Sequence, residues 1–310
     1  MDNLRGAALM TLAMLGFAIE DMFIKLMADA LPTWQIIAAL GLGGAAVFAA
    51  LTVAQGQRLV TRAFLAPPVL LRSLGELIGT VGFVTAIALT PISSASAILQ
   101  ATPLAVTLGA ALFLKEPVGW RRWSAILAGF AGVLLVIRPG LEGFDSRSLF
   151  AVLGVVGLAI RDLATRNVPA STSSFQLSFL AFLTLIPAAG LLALFSDRPF
   201  MVPTPALWGM IGGAILLGTL AYYAIVAAMR VGEISFVTPF RYVRMLFALI
   251  VGIAVFGETP DAPMLAGAAV IVASGIYTVW RERRLRRAGP FPSGARPAKT
   301  RPSPAEGDRT

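Results

Sequence analysis

The chain has 310 residues, of which 57% are hydrophobic and only 13% are charged, and its formal net charge is +9. A soluble domain carries about 45–50% apolar and about 25% charged residues, so this composition excludes a soluble globular protein and predicts an integral membrane protein. Cysteine and histidine are both absent. Their absence excludes disulfides, thiolate nucleophiles, His/Cys zinc sites and a Ser-His-Asp triad. We expect neither a cofactor nor a metal.

Apolar segments long enough to span a bilayer follow one another along the chain. A spanning helix needs about 20 mostly apolar residues, and Pro, Gly and charged positions divide the apolar stretches into separate helices. The sequence predicts an all-α membrane protein with ten transmembrane helices, at residues 6–26, 33–54, 69–89, 93–114, 121–138, 148–166, 175–195, 206–229, 234–256 and 263–280.

Basic residues are distributed unevenly over the predicted loops. With the N-terminus inside, the outer connections carry only Lys25, Arg138, Arg147 and Arg198, whereas the inner ones carry twice as many. This bias predicts an inner-membrane protein with both termini in the cytoplasm. Residues 281–310 hold nine Lys/Arg and three Asp/Glu, which is +6 of the net +9. We expect residues 282–310 to be a disordered, Pro-rich cytoplasmic tail that contacts anionic lipid rather than nucleic acid.

The two halves of the chain share polar landmarks at a nearly constant spacing. Residues 16–25 match residues 157–166 at an offset of 141, with Gly, Ala, Ile and Asp coinciding and a basic residue four positions after the Asp. Glu116 and Glu258 end their helices at an offset of 142 and are predicted to be topological or gating residues. Because each half has five crossings, an odd number, the second half must enter the bilayer upside down. The sequence predicts two inverted five-helix repeats, 1–140 and 148–281.

Several motifs are similar to those of one transporter family. In the first half they are Ser93–Ala97 through Pro103, Lys115-Glu116, Gly119–Trp123 and Gly129–Gly140, and in the second half Pro239, Gly257-Glu258 and Gly275. With the 5+5 helix pattern, they resemble the EamA family of the drug/metabolite transporter superfamily over about residues 5–281. The resemblance implies an inner-membrane carrier, not an enzyme, that moves a small metabolite such as an amino acid, an amine or a vitamin.

We interpret the chain as a secondary transporter that moves a small organic metabolite of the amino acid, amine or carboxylate class by alternating access. A riboflavin-like vitamin transporter of the same family is the first alternative. A polytopic membrane enzyme and a channel are alternatives from other classes. A homodimer is compatible with the sequence, which does not specify the oligomeric state.

Charged residues inside the predicted helices are the first candidate functional residues, because a charge at a helix centre costs about 2.5–3.5 kcal/mol to insert. Asp21 and Lys25 are spaced i, i+4, and so are Asp162 and Arg166. This spacing predicts an ion pair within each helix, with a gating or coupling role as the alternative.

Glu76 is the candidate for carrying a coupling proton, because carboxylates are the acids left to a chain without histidine. It lies one turn after Arg72 and inside Gly75-Glu-Leu-Ile-Gly79. An ion pair with Arg72 is the alternative role for Glu76, and the two glycines favour close approach of another helix.

The candidate cargo-binding residues are led by Arg241 and Arg244, with Tyr242 between them. Two guanidiniums three residues apart can clamp a carboxylate or a phosphate, and charge balance with Glu76 or Asp162 is the alternative. Pro239 is predicted to open this helix locally. Unmatched charges and polar or aromatic side chains in apolar spans supply the other candidates: Glu20, Arg161, Gln100, Tyr222 and Tyr223.

Overall fold

A computed structural model describes residues 2–115, 119–141, 144–169, 171–231 and 234–287, and within these ranges it contains helices and no strand. The α-helices are α1 (Asp2–Ala28), α2 (Thr33–Ala54), α3 (Pro67–Leu89), α4 (Ile92–Leu99), α5 (Thr102–Phe113), α6 (Trp120–Ile137), α7 (Leu149–Thr165), α8 (Ser174–Leu194), α9 (Pro205–Val231), α10 (Ile234–Val237), α11 (Val243–Phe256) and α12 (Ala262–Arg287). Short 3-10 helices cover Arg62–Leu65, Ser146–Ser148 and Thr238–Tyr242.

The spanning segments agree with the predicted all-α membrane protein. In the described part of the chain, nine helical segments are long and apolar enough to cross a membrane. The remaining predicted span corresponds to α6, whose apolar stretch, Trp123–Ile137, is shorter. At 1.5 Å per residue the 18 residues of α6 extend about 27 Å, close to the thickness of a bilayer core. The chain is therefore a multi-pass membrane protein.

Two of the predicted helices are broken rather than continuous. The segment predicted at 93–114 divides into α4 and α5 at Gln100–Ala101, and the one predicted at 234–256 divides into α10, the Thr238–Tyr242 3-10 helix and α11. Pro103 and Pro239 lie at the second position of the segments that follow these breaks, where a missing N–H is tolerated. At Pro239 the α-helix is interrupted by a 3-10 helix, which is more tightly wound and not the opening that was predicted. The break in the first half corrects the prediction of a continuous helix.

The C-terminal boundary also differs from the prediction. Helix α12 continues to Arg287, so residues 282–287 are helical and not part of a disordered tail. Arg, Leu and Glu make up this stretch, and all three are good helix formers that extend an existing helix at little cost. Residues 288–310, the rest of the predicted tail, lie outside the described residues, and so does Glu116.

The most extensive helix contacts join the two halves of the chain, through the pairs α1–α9, α2–α8, α3–α7 and α6–α12. Small residues let the helices of these pairs approach closely. A Cβ atom added to Gly75 of α3 would lie 2.8 Å from the carbonyl oxygen of Gly157 in α7. Likewise, a Cβ atom added to Gly132 of α6 would lie 2.8 Å from the carbonyl oxygen of Gly267 in α12. The close approach predicted for the Gly75–Gly79 segment is confirmed, and it sets Glu76 of α3 directly beside α7.

Candidate functional site

A cavity of about 490 Å³ lies between the two halves of the chain. Eight charged side chains from the described residues line it: Glu20, Asp21, Glu76, Asp162, Arg72, Arg161, Arg241 and Arg244. The first half supplies three of the four carboxylates and one of the four guanidiniums. The second half supplies one carboxylate and three guanidiniums. The first half therefore contributes a formal charge of −2 to the wall and the second half +2, although the cavity as a whole is balanced.

One group of ion pairs joins α3 to α7. Glu76 lies 3.2 Å from Arg161 Nη1 and 3.6 Å from Arg72 Nη2. Arg161 also binds Asp162 through its Nε, at 2.8 Å, while Arg72 donates from Nη1 to the carbonyl of Leu177 at 3.3 Å. The pairing of Glu76 with Arg72 considered from the sequence is present, but Glu76 is shared with a second guanidinium from the other half.

A second ion pair joins α1 to α11. Asp21 Oδ2 lies 2.6 Å from Arg244 Nη2, and the Asp21 side chain is only 4% exposed. The Arg244 guanidinium carbon also lies 5.1 Å from the ring centroids of Phe17 and Phe83, one on each of two helices. A guanidinium held by a carboxylate and two aromatic rings is fixed in place. Arg244 is therefore engaged by the protein itself and is not half of a free two-arginine clamp.

The predicted ion pair between Asp21 and Lys25 does not form. Lys25 Nζ donates instead to the carbonyl of Thr90 at 2.5 Å and to that of Ile87 at 3.4 Å, and it lies 5.4 Å from the ring centroid of Phe256. The i, i+4 spacing was a poor guide here because each group finds a partner on another helix. Lys25 lies outside the cavity wall.

Glu258 binds the first residues of α4 near Lys25. Its carboxylate accepts hydrogen bonds from the backbone N–H groups of Ile92, at 2.6 Å, and Ser93, at 3.1 Å, and from the Ser93 hydroxyl. The N-terminus of a helix favours such an anion because its N–H groups lack partners within the helix. We call Lys25, Thr90, Ser93, Phe256 and Glu258 the end cluster, since they join the two halves where α1, α3 and α11 end and α4 begins.

Glu20 and Arg241 remain without such partners. Neither forms an ion pair or a side-chain hydrogen bond with another described residue. Glu20 lies against α9, where a Cβ atom on Gly218 would come within 2.7 Å of its carboxyl carbon. The carbonyl oxygen of Arg241 accepts a hydrogen bond from Gln100 Nε2 at 3.3 Å, which links the two helix breaks. Both side chains line the cavity.

Some of the other predicted site residues line the cavity and others do not. Gln100, Tyr222 and Tyr242 line the cavity, and the Tyr222 ring packs edge-on against buried Phe48 with centroids 5.4 Å apart. Tyr223 is 57% exposed and lies outside the wall. Arg166 is also exposed, where α7 ends, and it does not line the cavity.

Three aromatic residues of the wall were not predicted from the sequence: Phe17, Phe83 and Phe182. Phe17 precedes Asp21 by one helical turn, and Phe83 follows Glu76 by two, so the helical period could have placed both on the faces of the charged residues. Phe182 has no charged residue on its helix to mark its face. Across the described ranges, no group of three or more His, Cys, Asp or Glu side chains is arranged to hold a metal ion.

The chain matches one protein family twice. The model of the EamA-like transporter family matches residues 4–138 and again residues 146–280. A riboflavin transporter from Vibrio cholerae is 32% identical, over 64% of this chain and 66% of the relative, which is just under two thirds of its length. An S-adenosylmethionine uptake transporter from Rickettsia bellii is 24% identical, over 69% of this chain and 73% of the relative.

A solved structure shares the fold. It superposes with a TM-score of 0.55 at 20% sequence identity, covering 88% of this chain and 98% of the other. At this identity, the superposition bears on the fold alone.

Proposed function

The chain belongs to the EamA-like transporter family, and from this premise we propose that it is a secondary transporter that carries a small organic metabolite across the bacterial inner membrane. The observation that carries the proposal is the cavity between the halves. Its volume of about 490 Å³ lies within the range of about 300–1,000 Å³ that is typical of small-molecule sites. Its charged wall lies inside a membrane protein, where charges mark transport pathways.

We propose that the chain is an inverted repeat of two units, 1–140 and 148–281. The recurring sequence landmarks and the two matches to one family model support this duplication. The helix pairing supports it further. Exchanging the halves turns the contact between α1 and α9 into the contact between α7 and α3, while α2–α8 and α6–α12 map onto themselves. A pseudo-two-fold axis in the membrane plane requires this reciprocity.

Alternating access between these units requires that one end of the cavity be closed at a time. The end cluster supports this mechanism because Lys25 and Glu258 bind backbone groups that belong to other helices. If both termini are cytoplasmic, this cluster closes the outer end. Arg166, equivalent to Lys25 by the 141-residue offset, is then the gating candidate at the inner end. Glu76 and Asp162 are candidates for coupling, since each is a carboxylate on the cavity wall.

Orientation can be tested without first removing native thiols, because the sequence contains no cysteine. Gln55 lies in the α2–α3 connection and Ser196 in the α8–α9 connection. We expect a cysteine at Ser196 to react with a membrane-impermeant maleimide in intact spheroplasts and one at Gln55 to react only after lysis. The reverse pattern would overturn the proposal of cytoplasmic termini.

The cargo proposed is a small organic metabolite of the amino acid, amine or carboxylate class. Riboflavin is a second candidate, since a relative 32% identical to the chain is named a riboflavin transporter. The aromatic side chains of Phe17, Tyr222 and Phe182 on the wall could stack on a flavin ring.

Counterflow in proteoliposomes tests the transport proposal. The purified full-length chain is reconstituted into vesicles preloaded with one unlabelled amino acid, amine, carboxylate or riboflavin, and entry of the labelled solute is followed. Saturable counterflow of one solute supports a carrier. Flux that neither saturates nor exchanges would identify a channel, and metal-dependent turnover of a lipid-linked substrate without counterflow would identify an enzyme.

Adjacent tyrosines supply a matched pair of variants for this assay. Tyr222 lines the cavity, whereas Tyr223 is exposed and does not. We expect Tyr222→Ala to raise the solute concentration needed for half-maximal counterflow and Tyr223→Ala to leave it unchanged. Equal effects of the two substitutions would contradict the placement of the cargo in this cavity.

A further inference from the structure

Among the described residues of the cavity wall, Glu20 and Arg241 are the charged side chains that form no ion pair. The other six are joined by the Glu76–Arg72, Glu76–Arg161, Asp162–Arg161 and Asp21–Arg244 contacts. Glu20 comes from the first half and Arg241 from the second. Each half therefore leaves one charge available to the cavity, and the two charges have opposite sign.

The surroundings of Glu20 favour a bound cation. No described guanidinium pairs with Glu20, since Arg244 forms its ion pair with Asp21 at 2.6 Å. Arg244 is thus already committed to a carboxylate. The absence of a side chain at Gly218 leaves room for the Glu20 carboxylate against the α9 backbone. A cationic group in the cavity is the partner that this carboxylate lacks.

The surroundings of Arg241 favour a bound anion. The carboxylate of Asp162 acts on Arg241, but Asp162 is hydrogen bonded to Arg161 at 2.8 Å. The backbone at Arg241 is held by Gln100 across the two helix breaks, which fixes the root of the side chain. A guanidinium carries five N–H donors in a fork that fits a carboxylate.

We propose that the cargo is an organic zwitterion, whose cationic group binds Glu20 and whose carboxylate or other anionic group binds Arg241. This inference rests on the proposed transport function and selects one class from those it left open. A cargo with only a cation would leave Arg241, which is partly exposed to the cavity, without a partner. A cargo with only an anion would leave Glu20, which is also partly exposed, without one. Since an unpaired charge inside a membrane protein is costly, both are discriminated against. A zwitterion also joins the two halves through opposite charges.

Binding to the purified full-length chain tests this inference. The probes are zwitterions (the standard amino acids, glycine betaine and carnitine), monocations (amino acid methyl esters), monoanions (N-acetyl amino acids) and riboflavin. We expect at least one zwitterion to raise the melting temperature, and its methyl ester and N-acetyl derivatives to bind about 30-fold or more weakly. If no zwitterion binds, or if both singly charged derivatives bind as well as their parent, the inference is wrong. Counterflow of riboflavin without zwitterion binding would overturn the inference and leave the transport proposal intact.

Substitutions at the two sites separate their roles. Glu20→Gln is expected to weaken zwitterion binding about 30-fold and to shift the binding preference towards the N-acetyl probe, which carries only an anion. Arg241→Gln is expected to shift the binding preference towards the methyl ester, which carries only a cation. Glu20→Asp and Arg241→Lys preserve the charges and should retain the preference for zwitterions, which guards against loss by misfolding. Asp261→Asn removes a carboxylate that does not line the cavity and serves as control. Identical preferences in the two Gln variants would contradict the assignment.

Discussion

The two halves of this chain share a scaffold but differ in the charges that they present to each other. The same family model matches residues 4–138 and 146–280, and Asp21 and Asp162 occupy equivalent positions. Beside them, however, the first half has Glu20 where the second has Arg161. The cavity wall consequently receives a net −2 from one half and +2 from the other.

This difference indicates what each kind of residue does. Positions that recur in both halves, such as the paired glycines and the helix breaks, build and position the helices. The contacts between the halves, Glu76–Arg161 and Asp21–Arg244, each use one arginine of the second half, and the first half has Glu20 at the position of Arg161. Attraction between unlike halves holds them together at the cavity, and it can be broken one contact at a time.

The largest effect is expected at Arg244. Arg244→Ala leaves the carboxylate of Asp21, which is 4% exposed, without its partner. Breaking a buried pair in this way costs about 3–5 kcal/mol of unfolding free energy, which can be measured by denaturant titration in detergent. The double variant Asp21→Asn/Arg244→Ala is expected to recover part of this loss because it removes the orphaned charge. A loss below 1 kcal/mol in Arg244→Ala would show that the pair does not hold the halves together.

The second contact between the halves is tested at Glu76. Glu76→Gln keeps the shape of the side chain but removes the charge shared by Arg72 and Arg161. We expect a loss of about 1.5–3 kcal/mol, the range for hydrogen bonds to charged groups, by the same titration. Asp29→Asn, at an exposed position, is the control and should change little. Equal stability of the Glu76 and Asp29 variants would contradict the assigned role of Glu76.

The close packing of α3 on α7 also joins the two halves. A Cβ atom on Gly157 would lie 2.6 Å from the Cα of Gly79 and 2.8 Å from the carbonyl oxygen of Gly75. We therefore expect Gly157→Ala to destabilise the fold by about 1–3 kcal/mol, since backbone atoms would have to move. At Gly190 of α8 a Cβ atom meets nothing within 4 Å, so Gly190→Ala should stabilise by roughly 0.5–1 kcal/mol. Effects of the same sign would contradict the close packing of α3 on α7.

The smallest effect is expected at the surface, where Arg138 of the first half binds Asp261 of the second. The hydrogen bond from the Arg138 side chain lowers the pKa of Asp261, and the backbone N–H of Met264 adds to this. A carboxyl group with a lowered folded-state pKa contributes stability above its unfolded pKa and loses it as pH falls through the folded value.

Asp261→Asn should therefore reduce the unfolding free energy by less than about 1 kcal/mol at pH 7. The difference from the native chain should shrink below about pH 4, near the unfolded pKa of Asp. Unfolding curves at pH 7 and pH 3.5 measure this change, with Asp197→Asn as control. A difference that grows at low pH would contradict the sign.

Local features of the fold could be predicted from the sequence because they depend on neighbouring residues. The glycines around Glu76 predicted a close helix approach, and Pro239 predicted an opening. The close approach is present, and at Pro239 the α-helix changes to a 3-10 helix instead of opening. Both features could be placed because a missing Cβ or a missing N–H acts at its own position in the chain. The break at Gln100–Ala101 was missed although Pro103 could have predicted it. In a continuous helix over 93–114, Pro103 would be an interior residue that removes a backbone hydrogen bond, whereas at the second position of α5 it is tolerated.

Long-range partners could not be predicted in the same way. Asp21 pairs with a residue 223 positions away, and the i, i+4 spacing to Lys25 gave a plausible but wrong partner. A spacing rule describes only one helix, whereas these charges face other helices across the cavity. For the same reason the sequence grouped Arg241 with Arg244, although the protein pairs one of them and leaves the other to the cavity.

Thr80 allows a direct test of whether the cavity between the halves holds the cargo. This residue lines the cavity, and Thr80→Cys introduces a single thiol into a chain that has no cysteine. Its alkylation rate is measured in proteoliposomes with and without a saturating concentration of the solute that shows counterflow, with Gln55→Cys as the control outside the cavity. We expect the solute to slow alkylation at position 80 at least tenfold and to leave the rate at position 55 unchanged. An unchanged rate at position 80 would contradict binding of the cargo in this cavity.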